Sequence, residues 1–283
     1  MPTFSDPYTN PHLKRPNALQ SLCDVLEHRA AEPQQCRIRE QAFEEALQGM
    51  AGAVVLEVGC GTGAVARDIS KMSNVANVVG VDPSPVFILK AKELAAGCSN
   101  ISFREGIGTS LPVADDSVDL VVYWTVLIHV PPEEIPAMLL EAHRILKPGG
   151  RLLLADNDLA GWSCSTSKYD PLSSVLSWYV NENLALPWLA RSFPQRLHSA
   201  GFTAGELGIH TVVDTERGSF GVQHVMLRAI NAFLVSQLVG SHMIEAMNAE
   251  VERRLKANEF AIELPYAVCI GSVPMREPAD APC

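Results

Sequence analysis

The feature that most constrains this chain is the glycine-rich turn Gly59-Cys60-Gly61-Thr62-Gly63. It follows a short apolar run, residues 53–58, and precedes a helical pattern over residues 64–72. An uninterrupted apolar run that stops at glycines reads as a parallel strand buried on both faces. The glycines let the backbone pass close to a ligand, where a Cβ would collide. Strand, glycine turn and helix in that order make an α/β sheet the natural reading.

The alternation continues. Residues 78–81, 101–104, 118–123 and 151–155 read as strands, and residues 85–96 and 132–146 as helices. In the second of these helices Ile135, Met138, Leu139, Ala142, Ile145 and Leu146 recur at three- and four-residue spacings, forming one apolar stripe against a sheet. Lys147-Pro148-Gly149-Gly150 ends it, because proline cannot continue a helix and glycine accepts the left-handed turn. Repeated exchange of strand and helix implies a mostly parallel sheet with helices on both faces, whose ligands sit at the carboxyl ends of the strands.

Residues 17–30 and 35–48 form N-terminal helices ahead of the first strand. The stretch 159–200 breaks the rhythm and holds three of the four tryptophans, so it reads as an inserted helical cap. After Gly201-Phe202 come a strand to Val213, helices over 222–238 and 242–257, and a final strand over 266–270. A single domain is expected: an arm and helices at 1–52, a ligand-binding core at 53–158, a cap at 159–201, and closing strands and helices at 202–283.

A chain of 283 residues, 47% of them hydrophobic, suits one elaborated α/β domain. Its 22 basic and 32 acidic residues give a net charge of -10, which repels a polyphosphate backbone and argues against a nucleic-acid partner. Seven scattered cysteines without paired spacing argue against a disulfide framework or a zinc ribbon, and fit a reducing cytoplasm. Residues 1–15 carry no apolar run resembling a signal peptide, and no stretch approaches the roughly 20 apolar residues that span a bilayer. The expected partner is therefore a small molecule. Oligomeric state is not legible.

Taken alone, the turn admits two cofactors. It satisfies the Gly-x-Gly-x-x-Ala form of a dinucleotide site, and Asp82 lies about 20 residues on, at the end of the second strand, where an acid chelates a ribose diol. Glu57 discriminates between them. A carboxylate two residues before the first glycine repels a pyrophosphate and attracts a cofactor carrying an ammonium group. The bland reading of Glu57 is an acid capping the following helix.

Four stretches then point one way: Val55-Leu56-Glu57-Val58-Gly59-Cys60-Gly61-Thr62-Gly63, Val79-Gly80-Val81-Asp82-Pro83-Ser84-Pro85, Leu111-Pro112 followed by Asp115-Asp116-Ser117-Val118-Asp119, and Arg144-Ile145-Leu146-Lys147-Pro148-Gly149-Gly150. As a set they resemble the class I S-adenosylmethionine-dependent methyltransferase superfamily, in its ubiquinone-biosynthesis-like branch. The resemblance implies a Rossmann-like, seven-stranded, mostly parallel sheet, with S-adenosyl-L-methionine as cofactor and S-adenosyl-L-homocysteine as product. It also implies that Gly59, Cys60 and Gly61 line the amino-acid portion of the cofactor, that Asp82 binds the ribose hydroxyls, and that Pro83 lies beside the adenine. Arg39 resembles the basic residue that meets the cofactor carboxylate, a solvated helix charge being its bland alternative. Tyr8 on the arm, and Tyr123 and Trp124 at the end of the fourth strand, are expected around the cofactor. One departure matters: where the family has Gly-Asp-Ala, this chain has Gly106-Ile107-Gly108, so the aspartate that receives the adenine amino group is missing. Backbone groups or Glu105 are left to replace it, and Ile107 supplies only an apolar wall.

For the chemistry, a sulfonium methyl is already activated, so in-line positioning dominates and no metal is required in principle. Asp156-Asn157 matches half of a magnesium-dependent catechol-type site, but the fourth strand ends in Tyr123-Trp124-Thr125 without the other acid. Asp156 to Asp158 therefore read as a polar loop or substrate contact. His129, just past the fourth strand, is the candidate general base, its alternative being a bond to a loop carbonyl. Trp162, Trp178 and Trp188 suit a flat hydrophobic acceptor, or ordinary helix packing. The opening Tyr8-Thr9-Asn10-Pro11, the aromatic cap and the length resemble fungal secondary-metabolite thiomethyltransferases that act on the dithiol of gliotoxin-type epipolythiodioxopiperazines. O- or N-methylation of another small metabolite stays open, with a nicotinamide oxidoreductase as the remote alternative.

Overall fold

The computed structural model describes residues 16–164, 170–184, 186–235 and 240–276. Helices α1 (Pro16–Ala31) and α2 (Pro33–Ala46) lead into β1 (Ala53–Val58), α3 (Ala64–Ile69), β2 (Val75–Asp82), α4 (Pro85–Leu94) and β3 (Ile101–Glu105). Then follow β4 (Val118–Trp124), α5 (Ile135–Ile145), β5 (Leu146–Asn157), α6 (Pro171–Asn183) and α7 (Phe193–Ser199). The chain continues through β6 (Thr203–Ala204), β7 (Gly208–Asp214), α8 (Leu227–Val235), α9 (Ser241–Ala257) and β8 (Ile262–Ser272). All strands share one sheet in the order β3-β2-β1-β4-β5-β8-β6, with β7 also paired to β8. The first five are mutually parallel, and β8 lies antiparallel beside β5.

The central strands are buried on both faces, which is why they read as apolar runs. Side chains alternate between two cores. Leu120, Val122 and Trp124 face the layer of α2, α3 and α4, while Val121 and Tyr123 face α5 and α7. Two motif residues act as ties. Arg144 of α5 bonds Glu141, Asp115 and the carbonyl of Val113, fixing the loop ahead of β4. Lys147 pairs with Asp119 at 2.8 Å, and the other oxygen of that carboxylate accepts the Val54 N–H, locking the bases of β1, β4 and β5 together.

Three expectations are refined. Eight strands form rather than seven, because the sixth is interrupted: β6 pairs with residues 271–272 of β8 and β7 with residues 262–268 of the same strand. Lys147-Pro148-Gly149-Gly150 ends α5 but lies within β5, where the β4–β5 register slips between Val118 and Leu120 and Gly149 takes φ +78°. The helix expected from residue 222 opens instead as a π-helical turn, Gly221–Met226. Within the expected cap, α6 packs on α8 through Trp178 and Phe233. Among the described residues no helix is long and apolar enough to cross a membrane.

Candidate active site

The strand order turns back at β1 and β4, and at their carboxyl ends opens a cleft of about 960 Å³, its mouth included. Its floor is the turn after β1. The N–H groups of Gly59 and Cys60 donate to the Val81 carbonyl at 2.7 and 3.0 Å, folding the turn over β2. Gly59 (φ +71°) has no room for a side chain, since a Cβ there would stand 2.6 Å from Val126 Cγ2. The Cys60 side chain turns down into the core toward Gly80, where burial raises its pKa well above the ordinary thiol value, so only its backbone faces the cleft.

Two acids border this floor. Asp82 accepts the Gly61 N–H at 2.9 Å on one oxygen and the Ser84 N–H at 2.8 Å on the other, so the end of β2 and the glycine turn are clamped by one carboxylate. Burial raises its pKa, and those two bonds oppose the shift. Glu57 is 2% exposed, and its Oε2 has no hydrogen-bond partner among the described residues. Burial is the main cause that pushes it up to about 8, a backbone bond from Ala66 opposing and Asp82 adding to the shift. The folded protein thus holds this proton where the unfolded chain, near 4.5, has lost it. Stability from Glu57 is complete below about pH 4.5 and falls as pH rises through 8.

The wall opposite is helical. Arg39 of α2 is 2% exposed and donates to Asp68 of α3 at 2.9 Å and to the Ala30 carbonyl at 2.5 Å, its Nε facing no partner among the described residues. Arg29 of α1 and Gln35 of α2 line the same wall. Trp124 lines the cleft, braced edge-on by Phe43 with ring centres 5.6 Å apart. Thr125 follows it at φ +55°, a left-handed conformation uncommon outside glycine, with Oγ1 unpartnered among the described residues. His129, on the 3-10 turn Leu127–His129, also lines the cleft. Behind it, Asp156 at the end of β5 is buried, and burial pushes its pKa up to about 6 against the opposing effects of His129 and the Ile128 and Asn157 N–H groups.

A shallower hollow shares Pro83 with the cleft and is lined by Glu105, Gly106, Ile107, Ser110 and Pro112. Ile107 is 54% exposed there, and Gly106 donates to the Asp82 carbonyl at 3.2 Å. Gly108 lines neither hollow; its Cα abuts Met138 of α5, and a Cβ would stand 2.4 Å from Met138 Cε.

Of the other expected residues, Tyr123 points away from the cleft, its hydroxyl donating to the Met138 carbonyl at 3.2 Å. Strand alternation places it opposite Trp124. Trp178 packs edge-on against Phe233 at 4.2 Å, and Trp188 is 61% exposed beneath Arg191. Trp162 packs on the main core, and none of the three lines the cleft. Asp158 is held by Arg191 at 2.8 Å. Tyr8 lies outside the described residues. Among the described residues no group of three or more His, Cys, Asp or Glu is arranged to hold a metal ion. Sequence reasoning missed Gln35, Arg29 and Thr125. The only signal for Gln35 is its spacing of four from Arg39, which puts both on one helix face.

Residues 55–150 match a methyltransferase-domain family. The demethylmenaquinone methyltransferase of Tropheryma whipplei is 38% identical over 106 residues, covering 38% of this chain and 42% of that protein. A Streptomyces fradiae protein of 37.1 kDa from transposon TN4556 is 32% identical over 213 residues, covering 72% and 60%. The chain spans about half the length of the curated relatives it matches. Among solved structures, the YcgJ protein of Bacillus subtilis superposes with a TM-score of 0.56 at 18% identity, over 84% of this chain and 98% of that one, a likeness of fold. The family match and the strand order agree: residues 55–150 of this chain form a methyltransferase domain.

Proposed function

We propose that this chain transfers a methyl group from S-adenosylmethionine to a small hydrophobic metabolite, and that the cleft over β1 and β4 is the site of transfer. The observation that carries this reading is Glu57, a buried carboxylate with an unpartnered oxygen at the tip of β1. It can ionise to meet an ammonium group, whereas the pyrophosphate of a nicotinamide cofactor offers it no cation. Arg39 would face the carboxylate of the same amino-acid group, Asp82 the ribose hydroxyls, and Pro83 and Ile107 the adenine. When bound, the cofactor supplies an activated methyl on a sulfonium. The chain's own part is to hold the acceptor in line above Trp124 and Thr125 and to keep water out.

The finer reading is S-methylation of a dithiol of the gliotoxin type, with O- or N-methylation as the alternative. What supports sulfur is chemical economy: a thiol gives up its proton far more readily than an alcohol and asks little of a base. The direct test offers labelled cofactor with a dithiol, a phenol and a secondary amine, and reads the methylated product by mass spectrometry. No binding of S-adenosylhomocysteine in calorimetry removes the whole reading.

Two results are expected from this site. At pH 7 Glu57 is largely protonated in the free protein, so binding a cofactor ammonium beside it expels close to one proton. Calorimetric titrations in buffers of different ionisation enthalpy measure that release, which disappears above pH 9; no release at pH 7 refutes the ammonium contact. His129→Ala slows methylation of an alcohol by roughly 100-fold or more and of a thiol by less than about tenfold, because only the alcohol needs its proton removed. Equal kcat losses on both acceptors make His129 structural.

A further inference from the structure

Helix α1 forms part of the cleft wall through Leu26, Arg29 and Ala30, which share one helix face at three- and four-residue spacing. His28 stands off that face and does not line the cleft. Its Nδ1 lies 3.1 Å from Nε2 of His224, the two rings meeting edge to face with centres 5.2 Å apart. Phe220 packs against both rings, 6.3 Å from His28 and 5.2 Å from His224 between centres.

His224 belongs to the π-helical turn Gly221–Met226, and that turn is moored to the sheet. Asp214, at the end of β7, accepts the Gly221 N–H at 2.5 Å, and a Cβ on Gly221 would stand 2.8 Å from Ile262 of β8. The histidine pair therefore joins a helix of the cleft wall to a fixed point on the sheet. On its other flank α1 is held by Glu27, which pairs with Arg67 beside the glycine turn at 2.6 Å.

Two imidazole nitrogens 3.1 Å apart bond only when one carries a hydrogen and the other offers a lone pair. Two neutral rings, or one neutral and one charged, meet that condition. Two charged rings do not: both facing nitrogens then carry hydrogen, and like charges oppose each other with ring centres 5.2 Å apart. The surroundings assign the roles. Burial, followed by the charges of His28 and of Arg228 on α8, holds His224 below the ordinary histidine value of 6.5. From β7 the carboxylate of Asp214 faces His28, and Glu32 at the head of α2 faces Asp214 in turn. His224 is thus the partner that supplies the lone pair, and His28 the donor. Charge on His224 is disfavoured while the pair is closed and not once it opens, so acidification below 6.5 favours opening.

We propose that His28 and His224 form a proton-operated latch on the cleft: one shared hydrogen holds α1 to the sheet, and uptake of a second proton frees it. The latch goes beyond the methyltransferase reading and is independent of which ligand the cleft takes. Its release loosens the stretch of wall that carries Leu26, Arg29 and Ala30.

The test follows amide hydrogen exchange of the full chain by mass spectrometry at pH 7.5 and pH 5.5, with rates corrected for the intrinsic effect of pH. The expected result is that protection of α1 falls at least about tenfold at the lower pH, as opening linked to one proton requires, while α5 on the opposite face of the sheet keeps its protection. In His224→Gln, whose carbonyl still accepts from His28 but takes up no proton, α1 keeps its protection at both pH values. His224→Arg, a permanent cation, lowers it at both. Should the glutamine variant fail to fold, His28→Gln, which donates to His224 through its amide, removes the pH dependence in the same way. Equal protection of α1 at the two pH values in the unaltered chain overturns the latch. So does a fall at pH 5.5 that survives in the glutamine variants, which assigns the effect to the buried acids Glu57, Asp156 or Asp214 instead.

Discussion

Replacing Asp82 with alanine raises the dissociation constant for S-adenosylhomocysteine by about 100-fold or more, as calorimetric titration reads it. The magnitude follows from two losses. The proposed ribose contact is a pair of hydrogen bonds to a charged acceptor, each worth about 1.5–3 kcal/mol, and about 1.4 kcal/mol is a factor of ten. The same carboxylate holds the Gly61 and Ser84 N–H groups, so its removal also loosens the turn that forms the cleft floor. An affinity unchanged within threefold refutes the assignment of Asp82 to the ribose.

Gly63→Ala destabilises the fold by about 2–5 kcal/mol in denaturant unfolding, from left-handed strain of about 1–2 kcal/mol and overpacking of a further 1–3. Gly63 stands at φ +74° at the mouth of α3, and a Cβ there would lie 2.5 Å from Phe103 Cζ and 3.1 Å from Ala91 Cβ. The same edge of the ring also rests on a second glycine, Gly80, where a Cβ would stand 2.6 Å from Cδ1 and 2.8 Å from Cε1, so two glycines together make room for it. Phe103→Leu should recover part of the loss when combined with Gly63→Ala, since the two changes share one cavity. An unaltered unfolding midpoint in the single variant would show that the ring moves freely.

The parallel sheet was legible because each of its features is local. Strands buried on both faces leave continuous apolar runs, and glycines at positive φ leave a fixed spacing in the turn after β1. The floor of the cleft was legible for the same reason, since Glu57, Gly59 and Gly61 occupy one short segment and Asp82 the tip of the next strand. Tyr123 and Trp124 share the end of one strand, yet alternation sends adjacent residues to opposite cores, so only Trp124 lines the cleft. Composition leaves Trp178 and Trp188 open between an acceptor wall and helix packing, and in the fold Trp178 braces α6 on α8. Gln35 and Arg29 were missed since their proximity to β4 depends on how a helical hairpin folds back across the sheet. Nothing in a polar first turn of a helix announces that it will be buried.

That hairpin ties the two halves of the cleft together. Arg39 and Gln35, one turn apart, are carried by the same helix, and Leu26 and Arg29 of α1 line the cleft beside them. A displacement of α1 and α2 large enough to release one occupant therefore disturbs the seat of the other. On the proposed function, release of spent cofactor and of methylated product is therefore expected to be coupled through these two helices.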